Sequence, residues 1–352
     1  KANKHKKKLV EVEQTPKAYL TELDQQVDLD RKVLGKKPFE RKDHKDDGNG
    51  DNGSNNSDGN SDHIDSSNDN SNDNSNGSGK TTTRMESITD PESGQQSRDG
   101  KPDGFHYSDH RTVDSKCNVI VNVHVEPANI NDVTPIPEIL KEIEGRLGKL
   151  PKYMGLDAGY HSAWIAHHLK TKGIQGVIGY RRHTHKGEHY GKYRFKYDPY
   201  FDVYICPEHK HLYWKTTTRE GYRQYFCDSK TCQDCPRREE CFGKSMNRRM
   251  VERHVWQDDL DDVIAYTKTD AGSRIYAWRK ETIERSFAEA KVNHGLRYAR
   301  MLGIKNMREQ CFLTAAVQNI KRLVASCLFP FFSLLFMTKP LHAVKCRGLS
   351  IL

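Results

Sequence analysis

Three sets of residues have types and spacing that could do chemistry. The stretch RKETIERSFAEAK, Arg279 to Lys291, is helical in pattern yet carries seven charged residues around a few apolar ones. Helical spacing puts Tyr276, Ile283, Phe287 and Ala290 on one apolar stripe and Lys280, Glu284, Ala288 and Lys291 on the adjoining face. Glu284 therefore borders the stripe, with lysines one turn before and two turns after and a small residue one turn on. That arrangement suits a metal-binding carboxylate that a large anion must approach; it also suits an ordinary solvated Lys–Glu helix. Asp157, in KYMGLDAGY, is a second candidate, since a carboxylate where a buried strand gives way to a turn and helix lies where active sites form in open α/β sheets. Its plainer role would be to bond turn amides.

The third set is made of cysteines. Cys206 ends a strand, and CQDCPRREEC supplies Cys232, Cys235 and Cys241. A C-x2-C pair is spaced for two ligands on one metal knuckle, and Cys206 and Cys241 would complete a tetrahedral thiolate site for structural Zn2+. Cys227 is a fifth candidate, and His209 or His211 could substitute. Cys117, Cys311, Cys327 and Cys346 are scattered and read as packing residues.

The elements that must position these residues can be read from periodicity. A Thr-Pro start predicts a helix within 12–36. Residues 104–127 alternate as two strands with a turn near Asp114–Lys116. A helix is expected over 136–148, ending at a glycine. A short strand over 152–160 stops at Asp157, and Ser162 can cap the helix that follows. Another strand is expected over 175–182. Hairpin, helix, strand, helix, strand implies a mixed α/β sheet with helices on its faces. A Tyr-, Cys- and Arg-rich insert interrupts it at 186–250, and helices resume from about Gln257.

Composition limits the rest. The 352 residues carry a formal charge of +9. Residues 181–254 hold 17 Lys/Arg against 10 Asp/Glu, and the first eight residues hold five lysines. Basic surface interleaved with Tyr, Trp and His suits a nucleic-acid backbone. Residues 46–80 are almost only Asn, Asp, Ser and Gly, a composition too poor in apolar groups to offset its ordering entropy, so disorder is expected. There is no signal-peptide pattern and no apolar run of about 18–20 residues; the longest, Cys327–Met337, contains Pro330. Nine unevenly placed cysteines argue against a secreted disulfide scaffold. A cytoplasmic protein without a membrane partner is expected.

Together these segments resemble the DDE transposases of bacterial insertion sequences. GLDAGYHS looks like the second-Asp motif, and YAWRKETIERSFAEAKVNHGLRYAR (Tyr276–Arg300) looks like the Tyr–Arg–Glu–Lys signature around the third acid. Tyr276, Arg279 or Lys280, Glu284 and Lys291 fill its roles; the family spacing to Glu284 fits Lys280 better than Arg279. TDPESG, RDGKPDGFHYSDHRTVD and the Cys-rich insert look like the IS-eleven-eighty-two branch.

The resemblance implies a ribonuclease H-like fold and metal-dependent cleavage and strand transfer on DNA, at transposon ends and target. Asp157 and Glu284 would hold two Mg2+ ions, because hard divalent ions require oxygen ligands. Tyr276, Arg279, Lys280 and Lys291 would contact phosphate or DNA backbone. A homodimer on DNA is a possible assembly. The family's first catalytic Asp stands in a D-x-T-H-x-K-A-N strand, and this sequence begins at KANKHKKK. That Asp and a DNA-binding region are therefore expected upstream of Lys1. Asp90, Asp109 and Asp132 could be mistaken for it; Asp90 and Asp109 read better as turn or salt-bridge residues.

The domain boundaries expected are 1–45 for the end of the first catalytic strand and a helix, 46–83 for a linker, and 84–185 for the ribonuclease H-like core. They continue with 186–250 for the zinc-binding insert, 251–326 for helices with the third acid, and 327–352 for an apolar, basic tail. Two rival functions fit the same residues: an inactive zinc-dependent DNA-binding remnant, and a ribonuclease H-like nuclease that cleaves without joining.

Overall fold

The computed structural model describes residues 7–12, 17–39, 82–97, 103–180 and 187–335. The polar tract at 46–80, the Thr-Pro start and the end of the tail lie outside them. In chain order the elements are β1 (Lys7–Val12), α1 (Lys17–Val33), β2 (Thr82–Ser87), β3 (Gly94–Gln96), β4 (Gly104–Val113), β5 (Ile120–Pro127), α2 (Ile136–Leu147), β6 (Tyr153–Leu156), α3 (Ala163–Thr171) and β7 (Gln175–Ile178). They continue with β8 (Lys196–Asp198), β9 (Val203–Ile205), β10 (His211–Thr217), β11 (Tyr222–Phe226), α4 (Ser229–Gln233), α5 (Arg238–Cys241), β12 (Met250–His254), α6 (Gln257–Thr267), α7 (Asp270–Arg279), α8 (Arg285–Asn293) and α9 (Ile304–Leu335).

The chain divides into two compact units: one of Lys1–Pro16, Gly79–Arg181 and Trp256–Leu352, the other of Lys17–Ser78 and Arg182–Val255. In the first, β1 to β5 form an antiparallel sheet in sequence order. The expected β4–β5 hairpin closes where predicted: the Asp114 carboxylate accepts the amides of Lys116 and Cys117 at 3.1 and 2.9 Å. One face of the hairpin buries Val113, Val123 and Val125 against Ala290 of α8 and Met307, Cys311 and Ala315 of α9. α2 ends at Gly148, whose φ of +65° lets its amide reach Glu144 O.

A second, two-stranded sheet pairs β6 and β7 in parallel, with α3 as the crossover. Parallel strands need such a helix to return the chain. Asp157 follows β6 directly, as expected. Ser162 stands at the N-cap of α3, but its hydroxyl makes no capping bond. Asp157 supplies the cap one element earlier, to a short 3-10 turn over Ala158–Tyr160.

In the second unit the insert forms a five-stranded antiparallel sheet, β12-β11-β10-β9-β8. Its core contains Phe195, Tyr204, Leu212, Tyr225, Phe242 and Val251. α1 belongs with this sheet, whereas sequence alone grouped it with the first strand. Leu23 and Val27 are buried, and the Arg223 guanidinium forks onto the Asp30 carboxylate at 2.7 and 2.8 Å. Among the described residues, no helix is long and apolar enough to cross a membrane.

Candidate active site

Glu284 lies at the join of α7 and α8, where the helix takes one wide π turn over Lys280–Glu284. A π turn holds an extra residue, so residues five apart come onto one line. Arg279 and Glu284 are five apart, and the Arg279 guanidinium meets Glu284 Oε1 at 3.0 Å. Arg279 is largely buried, at 12% side-chain exposure, while Glu284 is 56% exposed. The carboxylate thus faces outward with a sequestered cation behind it. Lys280, which has the family spacing in an ideal α-helix, is exposed, and the partner of Glu284 is Arg279. Lys291 is exposed one element on, its ammonium 5.9 Å from the Phe287 ring.

The buried line of these helices departs from the expected stripe. Ile283, Phe287 and Tyr276 are half-buried; Ile275, Thr282, Ser286 and Ala290 are buried. The seam accepts hydroxyls because it meets a polar core. Arg111 of β4, with a fully buried side chain, bonds Asp109 at 2.8 Å, Ser286 at 3.3 Å and Gln318 of α9 at 2.8 Å. Thr282 returns its hydroxyl to the carbonyls of Trp278 and Arg279, both at 3.2 Å, inside the π turn.

α7 docks on the β6–β7 pair. A Cβ on Gly155 of β6 would touch Ile275 at 3.8 Å and the Arg279 Cβ at 3.9 Å. A Cβ on Gly179, just past β7, would lie 2.5 Å from the Tyr276 hydroxyl and 2.9 Å from the Ala158 amide nitrogen. Only glycine leaves room for that approach. The signature helix therefore reaches the strand end that carries Asp157, with the Tyr276 phenol beside the turn.

Asp157 is exposed, and its Oδ1 accepts the Gly159 amide at 2.8 Å. That bond is the plain turn role foreseen for it. A further acid converges here, Asp132, which the sequence offered only as an acid that could be mistaken for the first catalytic Asp. A Cβ on Gly159 would lie 2.9 Å from Asp132 Oδ2 and 3.0 Å from Asp157 Oδ1, so both carboxylates face one spot. Asp132 comes from the loop between β5 and α2, where no periodicity signals its direction. Beneath the pair, Tyr160 is pushed well above its ordinary range by burial first and by the Asp132 and Asp157 charges next. Its hydroxyl is 2.7 Å from His110 Nδ1. Burial lowers the His110 pKa, and a neutral ring can accept that hydroxyl.

Asp90 and Asp109 take the structural roles expected. Asp90 accepts the Tyr107 hydroxyl at 2.8 Å and the Gly303 amide at 3.2 Å. Asp109 pairs with Arg111.

In the other unit, Cys206, Cys227, Cys232, Cys235 and Cys241 line one cavity with Leu212, Phe242 and Arg249. Cys206 opens a tight turn in which His209 adopts φ +57° and the Lys210 amide donates to Cys206 Sγ at 3.3 Å. Cys227, the fifth candidate, is a full member of the lining; His209 and His211 are exposed and are not part of it. Burial pushes the Cys227 thiol up to about 12 and the Cys241 thiol to about 11. Among the described residues, no group of three or more His, Cys, Asp or Glu side chains is arranged to hold a metal ion. The donor types still fit: carboxylates for a hard divalent cation at Asp157 and Glu284, and thiols for a soft one in the cavity.

No curated protein and no solved structure matches the chain. Residues 205–324, which contain all five cavity cysteines and Glu284 but not Asp157, match the family model of the Transposase DDE domain, and this match supports a DDE transposase.

Proposed function

We propose that the chain is the core of a DDE transposase of the IS-eleven-eighty-two branch, cutting DNA at the ends of an insertion sequence and joining those ends to target DNA. The observation that carries this reading is the docking of α7 on the β6–β7 pair, which brings Tyr276 and Arg279 to the strand end of Asp157. Asp157 and Glu284 are separated by more than a hundred residues in sequence, and the transposase match spans the second of them.

Asp157 and Glu284 would hold two Mg2+ ions. When bound, such ions activate a water or a DNA 3′-hydroxyl and stabilise the leaving oxygen. The chain's own residues do the rest. Arg279 keeps Glu284 aimed outward, through the 3.0 Å contact of its largely buried guanidinium with Glu284 Oε1. Lys280 and Lys291 offer compact exposed charges to phosphates. Tyr276 sets its phenol beside the Ala158 turn that follows Asp157. In the second unit, Cys206, Cys232, Cys235 and Cys241 would hold a structural Zn2+, with Cys227 in reserve. The basic, aromatic sheet around it would shape DNA, and a cytoplasmic, DNA-associated homodimer is the assembly in view.

The test is a strand-transfer assay. The full open reading frame is incubated with Mg2+, labelled termini of its own element and a plasmid target. The expected result is nicking at the termini followed by their covalent joining to the plasmid. Cleavage without joining would return the protein to a nuclease, and neither step would leave a DNA-binding remnant.

A further inference from the structure

The turn between β8 and β9 shows two aromatic rings to solvent. Tyr200 is 86% and Phe201 68% exposed, and the rings stand edge to face at 4.7 Å. Rings that exposed forfeit the burial that normally justifies them. A floppy turn could simply tolerate such residues, but this one is built. Asp202 closes it at φ +48°, a conformation ordinary side chains avoid. Its Oδ1 accepts two tyrosine hydroxyls from the sheet, Tyr197 at 2.8 Å and Tyr225 at 2.6 Å. Tyr225 is fully buried, and Arg253 lies 3.9 Å from the centre of the Tyr197 ring. The tip is therefore fastened to the core of the insert while its two rings point away from it.

Charge identifies what the rings meet. Asp198 is turned onto the Tyr200 amide at 3.0 Å, and Asp202 is held by the two tyrosines. Both acids of the hairpin are thus engaged within it. The exposed charges just before the tip are Lys192, Arg194 and Lys196, all positive. A fastened aromatic pair that follows a basic segment matches a nucleic-acid strand with accessible base faces: phosphates meet the cations and unpaired bases stack on the rings. A protein partner would be expected to meet mixed or complementary acidic charge at the rim. We propose that the Tyr200–Phe201 tip is a stacking wedge for unpaired nucleotides of the DNA substrate. This rests on the reading that the chain acts on DNA, and it assigns the tip a role apart from the carboxylate site.

The experiment compares two probes on the full chain: a duplex with a single-stranded overhang containing 2-aminopurine, and a blunt duplex of the same sequence. Wild type should quench the 2-aminopurine and prefer the overhang. The double variant Tyr200→Ala/Phe201→Ala should lose the quench and bind the overhang roughly 5- to 100-fold more weakly. Blunt-duplex affinity and its salt dependence should stay, because no cation is removed. Tyr200→Trp/Phe201→Tyr keeps two ring faces and should retain the quench; an unchanged melting curve for each variant excludes damage to the sheet. Equal affinity of wild type and the alanine variant for the overhang would overturn the wedge while leaving the DNA reading intact. So would an equal loss on both probes. A wild type that binds neither probe would overturn the DNA reading itself.

Discussion

Glu284 and Arg279 form a pair whose two halves have different fates. The carboxylate is more than half exposed and the guanidinium is mostly buried. An exposed ion pair contributes only about 0.2–1 kcal/mol, so stability gives little reason for this geometry, whereas the proposed chemistry at the carboxylate would. Glu284→Gln keeps size and hydrogen bonding but removes the charge. In the full-length protein it should abolish cleavage and joining while shifting the melting temperature by only a degree or two and leaving DNA binding intact. Cleavage within a fewfold of wild type in a gel assay would return Glu284 to an ordinary surface pair. At this scale the sequence was legible in part. Small Ala288 and the flanking lysines marked Glu284, and the strand-to-turn transition marked Asp157. Asp132 was not legible as a neighbour of Asp157, because a loop carries no period from which a side chain's direction can be read. Nor was the choice between Arg279 and Lys280, because ideal helical spacing favours the residue that the real helix leaves outside.

At the scale of elements, that choice is made by the π turn. An apolar pattern cannot register one extra residue, since each flank still reads as regular helix. The polar seam of Thr282 and Ser286 was hidden for a related reason: hydroxyls are read as exposed until a buried Arg111 is known to meet them. Deleting Glu281, which is exposed, should convert the π turn to an α turn. Arg279 and Glu284 would then be four apart, and the flanks, keeping their facing, would be drawn together by up to about 1.5 Å, one residue's rise. Because α7 is held on β6 and α8 on the hairpin, the expected outcome is near-native helix content by circular dichroism with loss of strand transfer. Full activity in the deletion would show that the wide turn is incidental. A second element-scale prediction concerns the clasp between β5 and α2. His124 lies 3.1 Å from both Glu126 and Glu142. The Glu126 hydrogen bond raises its pKa most; burial opposes, and Glu142 adds to the rise. The charged ring is therefore favoured in the fold. Its contribution is fully present below the unfolded value of about 6.5 and is lost as pH rises through the folded one. Thermal melts taken from pH 5 to 8 should show wild type losing stability across that window relative to His124→Gln; parallel curves would count against the clasp.

For the whole molecule, the division into two units carries the last prediction. The hairpin and the βαβ order of the first unit were readable from clean periods of two and of 3.6, and the late helices were readable as helices though not in their buried face. The second unit read only as a Cys-rich insert, and its sheet was hidden because β8 and β9 are three residues each, too short for alternation to register. Its recruitment of α1 depends on the Asp30–Arg223 fork, a pairing of residues far apart in sequence. Five cysteines that line one cavity displace apolar groups that would otherwise fill the middle of this unit. Thiols raised by burial contribute little cohesion by themselves, whereas a tetrahedral Zn2+–thiolate site contributes folding free energy directly. If the metal is the keystone there, a strong chelator should act on one unit and spare the other. Protein purified without chelator should contain one zinc per chain by elemental analysis. Chelation should then lower the melting of the second unit, followed through the environment of Trp214, which lies in its sheet. Hydrogen exchange at the β4–β5 hairpin of the first unit should remain slow. Cys232→Ser should reproduce the effect of chelation, and Cys117→Ser, at an exposed position outside the cavity, should not. Zinc-free protein with an unaltered second unit would show that the apolar and aromatic core suffices without metal. A chelator that unfolds both units together would show that the chain melts as one body.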